Sequence, residues 1–315
     1  MTEATPFVRP DVKAFLDFLN SAGAPPMSSL TPADARGAYL AMGSVGERDP
    51  LPLAVIRDLA APGPAGPIPL RLYDAREERG AGPLVVFYHG GGFVIGDLDT
   101  HHAFCTELAA ALDLPVVAVD YRLAPEHPFP AAPDDCEAAT RWIAGSPAEL
   151  GRQVTGLVLT GDSAGGNLTI VVTQDLTARP AAVPVILQAP IYPLSDEAPH
   201  ASYTLFGDGY LLTADTMAWF AAGYAAKSGD PRAYPLLSDH AGTPPTVLIT
   251  AGLDPIRDSG RAYGAALIQN GIPVEFIEIP GIIHGFIQLR KAIPSAQEAT
   301  EKVFAAIRGQ LARLA

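Results

Sequence analysis

The chain has 315 residues, 48% of them hydrophobic and 17% charged, which suits a globular protein with a large core and leaves one large domain or two small ones open. Acids outnumber bases by 34 to 21, and the resulting charge of −13 argues against nucleic acid or an anionic membrane surface as a partner. Cys105 and Cys136 have no metal-ligand spacing and read as small buried apolar residues kept reduced in a cytosolic chain. The stretch from residue 1 to 6 lacks a basic region followed by an apolar one, and no apolar run approaches the length of a membrane span. A cytoplasmic location without stable membrane association is therefore expected.

In chain order, Val12, Phe15, Leu16 and Leu19 fall at i, i+3, i+4 and i+7, one apolar helical face that Gly23 and Pro25-Pro26 bring to an end. Thr31-Pro32-Ala33-Asp34 then starts a second helix, with Thr as cap, Pro in the first turn and an acid three residues on. This pair precedes any strand and is expected to pack over a site opening. Residues 53–60 and 68–73 read as two strands separated by the Pro/Gly-rich stretch 62–67, an antiparallel pair.

From Leu84 short apolar runs follow one another: 84–88, 116–119, 157–159, 185–187, 246–250 and 274–279, most of them separated by helical stretches. Buried strands alternating with helices give an α/β fold with a mostly parallel, eight-stranded sheet, and residues 296–314 form a helix over one face. No internal repeat interrupts the pattern. The segment 195–229 does interrupt it, with Tyr203, Phe206, Tyr210, Trp219, Phe220 and Tyr224 but no buried-strand run. It reads as a helical insertion at a strand's carboxyl end, a lid together with the N-terminal helices; an ordinary surface helix pair is the plainer reading. The expected division is 1–50 as N-terminal cap helices, 51–194 and 230–315 as core, and 195–229 as cap insertion.

Gly161-Asp162-Ser163-Ala164-Gly165-Gly166 joins the strand ending at Thr160 to a helix expected from Asn167 to Ala178. A serine flanked at two residues on either side by glycine, between strand and helix, forms a tight elbow that exposes its hydroxyl at the carboxyl end of the sheet. Taken alone, a Gly-rich strand-to-helix turn explains it equally well. A serine becomes a nucleophile only when a base takes its proton and an acid orients that base; the elbow resembles that of the α/β-hydrolases, which implies the chain order Ser, Asp or Glu, His.

Of seven histidines, His89, His101, His102 and His127 precede Ser163, His200 starts the insertion and His240 precedes the strand that should deliver the acid. His284 alone follows the last strand. Asp254 stands just past the strand 246–250; a plain helix cap before Pro255 is its bland use. Asp258, one turn further, is expected to anchor the following helix. In His89-Gly90-Gly91-Gly92-Phe93 the glycines free backbone amides to point into a cavity, where with the amide of Ala164 they would hold an oxyanion; His89 is expected to tie the loop rather than act as a base. A phosphate loop would need a Lys-Ser/Thr end or G-x-G-x-x-G spacing, and neither is present.

The residues 89–93 and 161–166, with Tyr121 to Ala132, Asp254-Pro255-Ile256-Arg257-Asp258 and His284-Gly285-Phe286, resemble the blocks of bacterial hormone-sensitive-lipase-like esterases, family IV, of the GDSAG type. The likeness covers about residues 84 to 290. It implies an α/β-hydrolase core with a helical cap and cofactor-free hydrolysis of short-chain carboxylic esters. By the same resemblance Ser163 is the nucleophile, Asp254 the acid, His284 the base, and Gly91, Gly92 and Ala164 the oxyanion donors.

Two features depart from the family. His102 stands where an acid often follows the histidine matched by His101, and Ile282-Ile283 replace a Met-containing pair, a change expected to reshape the pocket wall. A specific deacetylase acting on an acetylated sugar, drug-like amide or antibiotic is the alternative function. A non-catalytic small-molecule receptor of the same fold is more remote, because His284 is retained. The expected partner is a small ester substrate, with no cofactor, no metal and no nucleic acid; a homodimer stays open.

Overall fold

Strand pairing in the computed structural model, which describes residues 6–314, follows from where the apolar runs lie. The strands are β1 (Val55–Gly63), β2 (Gly66–Asp74), β3 (Gly82–Tyr88), β4 (Val116–Val119), β5 (Val154–Asp162), β6 (Val185–Ile191), β7 (Thr246–Leu253) and β8 (Val274–Ile283). They form one eight-stranded sheet in the order β1-β2-β4-β3-β5-β6-β7-β8. β1 and β2, and β2 and β4, are antiparallel, and every other pair is parallel. The expected eight-stranded, mostly parallel sheet is present. Residues 1–5, which include most of the stretch read for a leader and the start of the 1–50 segment, and residue 315 lie outside the described residues.

Alternation along the central strands divides the core into two layers. Val85 and Phe87 of β3 face one layer, with Val116, Val158 and Val247, under α3 (His102–Leu112) and α9 (Pro294–Leu314). Leu84, Val86 and Tyr88 face the other, with Val117, Leu157 and Leu159, under α4 (Ala131–Ala144) and α5 (Ala164–Ala178). α8 (Arg257–Gln269) extends that second face through Tyr263 and Leu267, which pack with Ile170 of α5 and Leu248 of β7. Cys105 and Cys136 are both fully buried and unpaired.

Several element ends differ from the sequence reading, three of them informatively. The hairpin turn is only Pro64-Ala65, and Pro62 pairs with Pro67, a pairing that the edge position of β1 tolerates. β8 continues through Pro280 to Ile283, again on an edge, with a register shift opposite at Ala251–Leu253. α5 begins at Ala164 rather than Asn167, so Gly165 and Gly166 lie inside the first turn. They are needed there for packing: a Cβ on Gly165 would run into the backbone carbonyl of Tyr88.

The two N-terminal helices form as expected. α1 (Pro10–Ser21) buries Val12 and Leu16, and α2 (Pro32–Gly46) is capped by Thr31, whose hydroxyl accepts from the Asp34 amide at 3.2 Å. Asp11 accepts the Ser295 amide at 2.7 Å, tying α1 to α9. The Arg36 guanidinium ties α2 to the core, donating to the carbonyls of Val94 (2.9 Å) and Ala124 (3.0 Å) and to the Glu126 carboxylate. The insertion folds as α6 (Ala201–Phe206) and α7 (Ala214–Tyr224). Asp258, expected to anchor α8, also reaches across to accept the Ser202 amide at 3.0 Å, joining α8 to α6.

Two glycine substitutions separate packing from propensity. Gly165→Ala forces a methyl group against the Tyr88 carbonyl and is expected to lower unfolding stability by about 1–3 kcal/mol. Gly37→Ala, at an exposed position of α2 with open space around it, is expected to raise stability by up to about 1 kcal/mol. Urea denaturation of the two variants beside the parent protein measures both; equal effects would contradict the packing argument.

Candidate active site

Three strand ends build the site. Ser163 follows β5 directly, Asp254 follows β7 and His284 follows β8, so residues far apart in sequence meet along the carboxyl edge of the sheet. Ser163 adopts φ 55° and ψ −116°, a strained conformation for a residue with a side chain, held by its place between β5 and α5. Its Oγ lies 2.9 Å from His284 Nε2, and His284 Nδ1 lies 2.7 Å from Asp254 Oδ2. Because the Asp254 carboxylate accepts at Nδ1, Nε2 carries the lone pair that faces the serine hydroxyl.

Asp254 is fully buried, and its other oxygen accepts the Ile256 amide at 2.9 Å. It therefore closes the turn that leads into α8 while partnering His284, but it is not the helix cap, a position that falls to Ile256.

The glycine loop leaves β3 next to the elbow. Gly91 (φ 120°), Gly92 (φ 58°) and Phe93 (φ 63°) all have left-handed backbones. A Cβ on Gly91 would meet the Ile95 carbonyl and one on Gly92 the Phe220 ring. Gly91 and Gly92 face the same cavity as Ser163, and no backbone hydrogen bond engages their amides among the described residues. The Ala164 amide lies at the first position of α5, adjoining Ser163.

His89 ties the loop, as expected. Its ring stacks on Tyr121 at 4.3 Å, its Nδ1 lies 2.8 Å from the Gly90 carbonyl oxygen, and the Tyr121 hydroxyl donates to the His89 carbonyl at 2.7 Å. Burial, with the charge of His101 adding to it, pushes the imidazole down to about 4.

A second buried carboxylate beneath the site is not apparent in the sequence. Asp162 accepts the Gly90 amide at 2.7 Å, lies 3.1 Å from His101 Nε2 and accepts from the Tyr192 hydroxyl at 3.3 Å. Burial raises its pKa, but the charge and hydrogen bond of His101, the Gly90 amide and the charge of His284 outweigh that and hold the carboxyl below its ordinary value. Tyr192 also packs its ring 4.6 Å from that of His284. The Asp in the GDSAG block was the available signal for the first of these; nothing in the pattern around Tyr192 marks it.

Neither family departure supplies a side chain to the relay, although Ile283 directly precedes His284. His102 hydrogen-bonds to the Tyr73 hydroxyl at 3.2 Å. Ile282 and Ile283 are fully buried in the core and do not line the cavity, so the expected change of pocket wall is not found; β8 turns both side chains into the apolar layer. His200 pairs with Asp196 and His240 packs against Tyr263, neither of them near Ser163.

A cavity of about 460 Å³ opens above Ser163 and His284. The N-terminal segment supplies Leu19, Met27, Leu30 and Met42, and the insertion supplies Leu211, Leu212 and Phe220. Both expected cap segments thus face the serine. The apolar wall that 195–229 contributes is largely aliphatic, Phe220 being the one insertion aromatic on it among the described residues. Phe206 packs under the Arg257 guanidinium at 5.0 Å, Tyr224 stacks on Phe93 at 3.8 Å and Tyr203 is exposed. No group of three or more His, Cys, Asp or Glu placed to hold a metal ion occurs among the described residues. A smaller hollow, lined by Arg76, Arg79 and Arg152, lies at the amino ends of β3 and β5, remote from the serine.

Residues 85–288 match a family described as alpha/beta hydrolase fold. The carboxylic ester hydrolase LipN of Mycobacterium tuberculosis is 40% identical over 269 residues, 82% of this chain and 71% of its own. The ethyl acetate hydrolase of Pseudomonas putida is 36% identical over 321 residues, covering 96% of this chain and 99% of its own. Among solved structures, an ester hydrolase from the metagenome of Lake Arreo superposes with TM-score 0.91 at 37% identity, over 97% of this chain and 100% of its own.

The buried His89 gives a stability signature. Its folded value of about 4 lies below the ordinary ~6.5, so between those limits the unfolded chain binds the extra proton. Its contribution is fully present above pH ~6.5 and is lost as pH falls toward about 4, on the order of 2 kcal/mol by pH ~5. Urea unfolding at pH 7 and pH 5 should show a clearly smaller loss for His89→Gln than for the parent; equal losses would mean that His89 does not fold neutral.

Proposed function

The chain belongs to the alpha/beta hydrolase family, in its hormone-sensitive-lipase-like branch, and is a carboxylic ester hydrolase; from that premise we propose that it is a serine esterase acting on short-chain esters through an acyl-enzyme. The observation that carries this reading is the unbroken relay Asp254–His284–Ser163, with links of 2.7 and 2.9 Å, at the floor of the cavity.

In this proposal the Ser163 hydroxyl passes its proton to His284 Nε2 as Oγ attacks the ester carbonyl carbon. Asp254 keeps the imidazole in the receptive tautomer and stabilises the imidazolium. The amides of Gly91, Gly92 and Ala164 receive the oxyanion, and the amino end of α5 adds its positive dipole at the same point. His284 then protonates the departing alcohol. Water, deprotonated by the same imidazole, attacks the acyl-Ser163 carbonyl, and collapse of the second tetrahedral intermediate returns the serine and releases the carboxylic acid. No step calls for a metal or cofactor.

The walls favour small substrates. Leu211, Leu212, Met27 and Phe220 enclose limited apolar space, and one relative is named for ethyl acetate, a two-carbon acyl ester. None of the described helices is long and apolar enough to cross a membrane, and our reading is of a cytoplasmic enzyme meeting small dissolved esters.

Two measurements test the proposal. Ser163→Ala should lower kcat on a nitrophenyl ester by on the order of 10⁶-fold with the fold intact by circular dichroism; retention of a tenth of the rate would refute the assignment. Across nitrophenyl esters from acetate to palmitate, each buried methylene should raise kcat/KM by up to roughly fourfold until the cavity is filled, after which it should fall. Leu211→Ala should move the optimum to a longer acyl chain. A profile rising steadily to palmitate would contradict an acyl space of limited length.

A further inference from the structure

The cavity above Ser163 has an unbalanced charge inventory. No Lys or Arg side chain lines it among the described residues. Arg36 is engaged by Glu126, Lys13 by Asp17, the buried Arg290 by Glu47 and Glu107, and Arg257, beside Phe206 of α6, by Asp258; Lys227, within the insertion, does not line the cavity. Negative charge, by contrast, occurs at two depths. Asp162 is buried at the floor, and the relay carboxylate Asp254 is buried behind His284. Asp208 stands in the Gly207–Gly209 bend between α6 and α7, exposed and on the cavity wall, with no ion pair or side-chain hydrogen bond among the described residues.

The bend that carries Asp208 is fixed. The Asn20 side-chain amide of α1 donates to the Gly209 carbonyl at 3.1 Å, so both halves of the cap hold the carboxylate at the mouth. Asp215, at the start of α7, receives the Ser28 hydroxyl from the N-terminal segment and adds a second negative charge to the insertion, off the cavity wall.

Resting on the ester-hydrolase reading above, we propose that Asp208 is a specificity-determining residue: it makes the site select esters whose substituents are neutral or cationic and reject those bearing a carboxylate. The physical reason is that apolar walls screen charge poorly. The aliphatic side chains of Leu19, Leu30, Leu211 and Leu212 focus the field of Asp208 along the path that a substrate must take. A carboxylate entering there finds no counter-ion and must also shed water. An ammonium group at the mouth meets an unpaired partner whose attraction offsets part of its own desolvation.

The experiment uses three acetate esters of similar size: acetylcholine, its uncharged isostere 3,3-dimethylbutyl acetate, and 4-acetoxybutanoate. At low ionic strength the wild-type kcat/KM for the anionic ester is expected at least about tenfold below that for the neutral one, and that for acetylcholine at or above it. Asp208→Asn should narrow the acetylcholine-to-acetoxybutanoate ratio by about fivefold while leaving the neutral ester within twofold. Asp208→Lys should narrow it further.

Because Asp208 is exposed, both variants are expected to fold, and circular dichroism checks this. A second arm needs no variant: raising NaCl to 0.5 M should compress the wild-type ratio several-fold, the Debye length then being about 4 Å. An acetylcholine-to-acetoxybutanoate ratio untouched by both substitutions and by salt would overturn the proposal. Failure of the wild type to hydrolyse even the neutral ester would instead overturn the ester-hydrolase reading beneath it.

Discussion

Everything at the site depends on how closely α5 and β5 approach the end of β3. In the parallel pairing of these strands Tyr88 stands opposite Gly161, and a Cβ on either Gly161 or Gly165 would strike the Tyr88 backbone carbonyl. Tyr88 is immobilised in turn: its side chain is fully buried and its hydroxyl is 2.6 Å from Thr140 Oγ1 on α4. The glycine loop begins at the very next residue. One strand pairing therefore sets the height of the serine and of the amides facing it, and the strained backbone of Ser163 is held by that packing rather than by its own preference.

Two buried carboxylates stiffen this frame. Taking a carboxylate out of water is costly, and each is compensated by a backbone amide and an imidazole. Asp254 has Ile256 and His284; Asp162 has Gly90 and His101. One pair orients the His284 imidazole and the other tethers the glycine loop. Tyr192 touches both, through its hydroxyl to Asp162 and its ring against His284.

The sheet and the relay were legible because their signals are local. Unbroken apolar runs identify strands buried on both faces, and the requirement that each reactive residue follow a strand end leaves Ser163, Asp254 and His284 in the right order. What escaped depends on distant partners. The run 274–279 ends at Pro280, a reasonable stop inside a sheet, yet β8 lies at the edge, where a missing amide is tolerated, and so continues to the residue before His284. Of the aromatics of 195–229, Phe206, Tyr224 and Tyr203 turn toward Arg257, Phe93 and solvent, and the wall falls to Leu211, Leu212 and Phe220, a division that composition does not reveal. His101 and Asp162 are 61 positions apart and carry no spacing that would announce their contact.

The central claim is that a single serine, activated through His284, carries the acyl group. Mixing the enzyme with excess 4-nitrophenyl butyrate, quenching in acid within milliseconds and mapping the digested peptides by mass tests it most directly. The account predicts a butyryl group on Ser163 alone, formed with a burst of nitrophenol and lost on the timescale of turnover. A butyryl group on another residue that forms and decays at the turnover rate, with Ser163 unmodified, would contradict it.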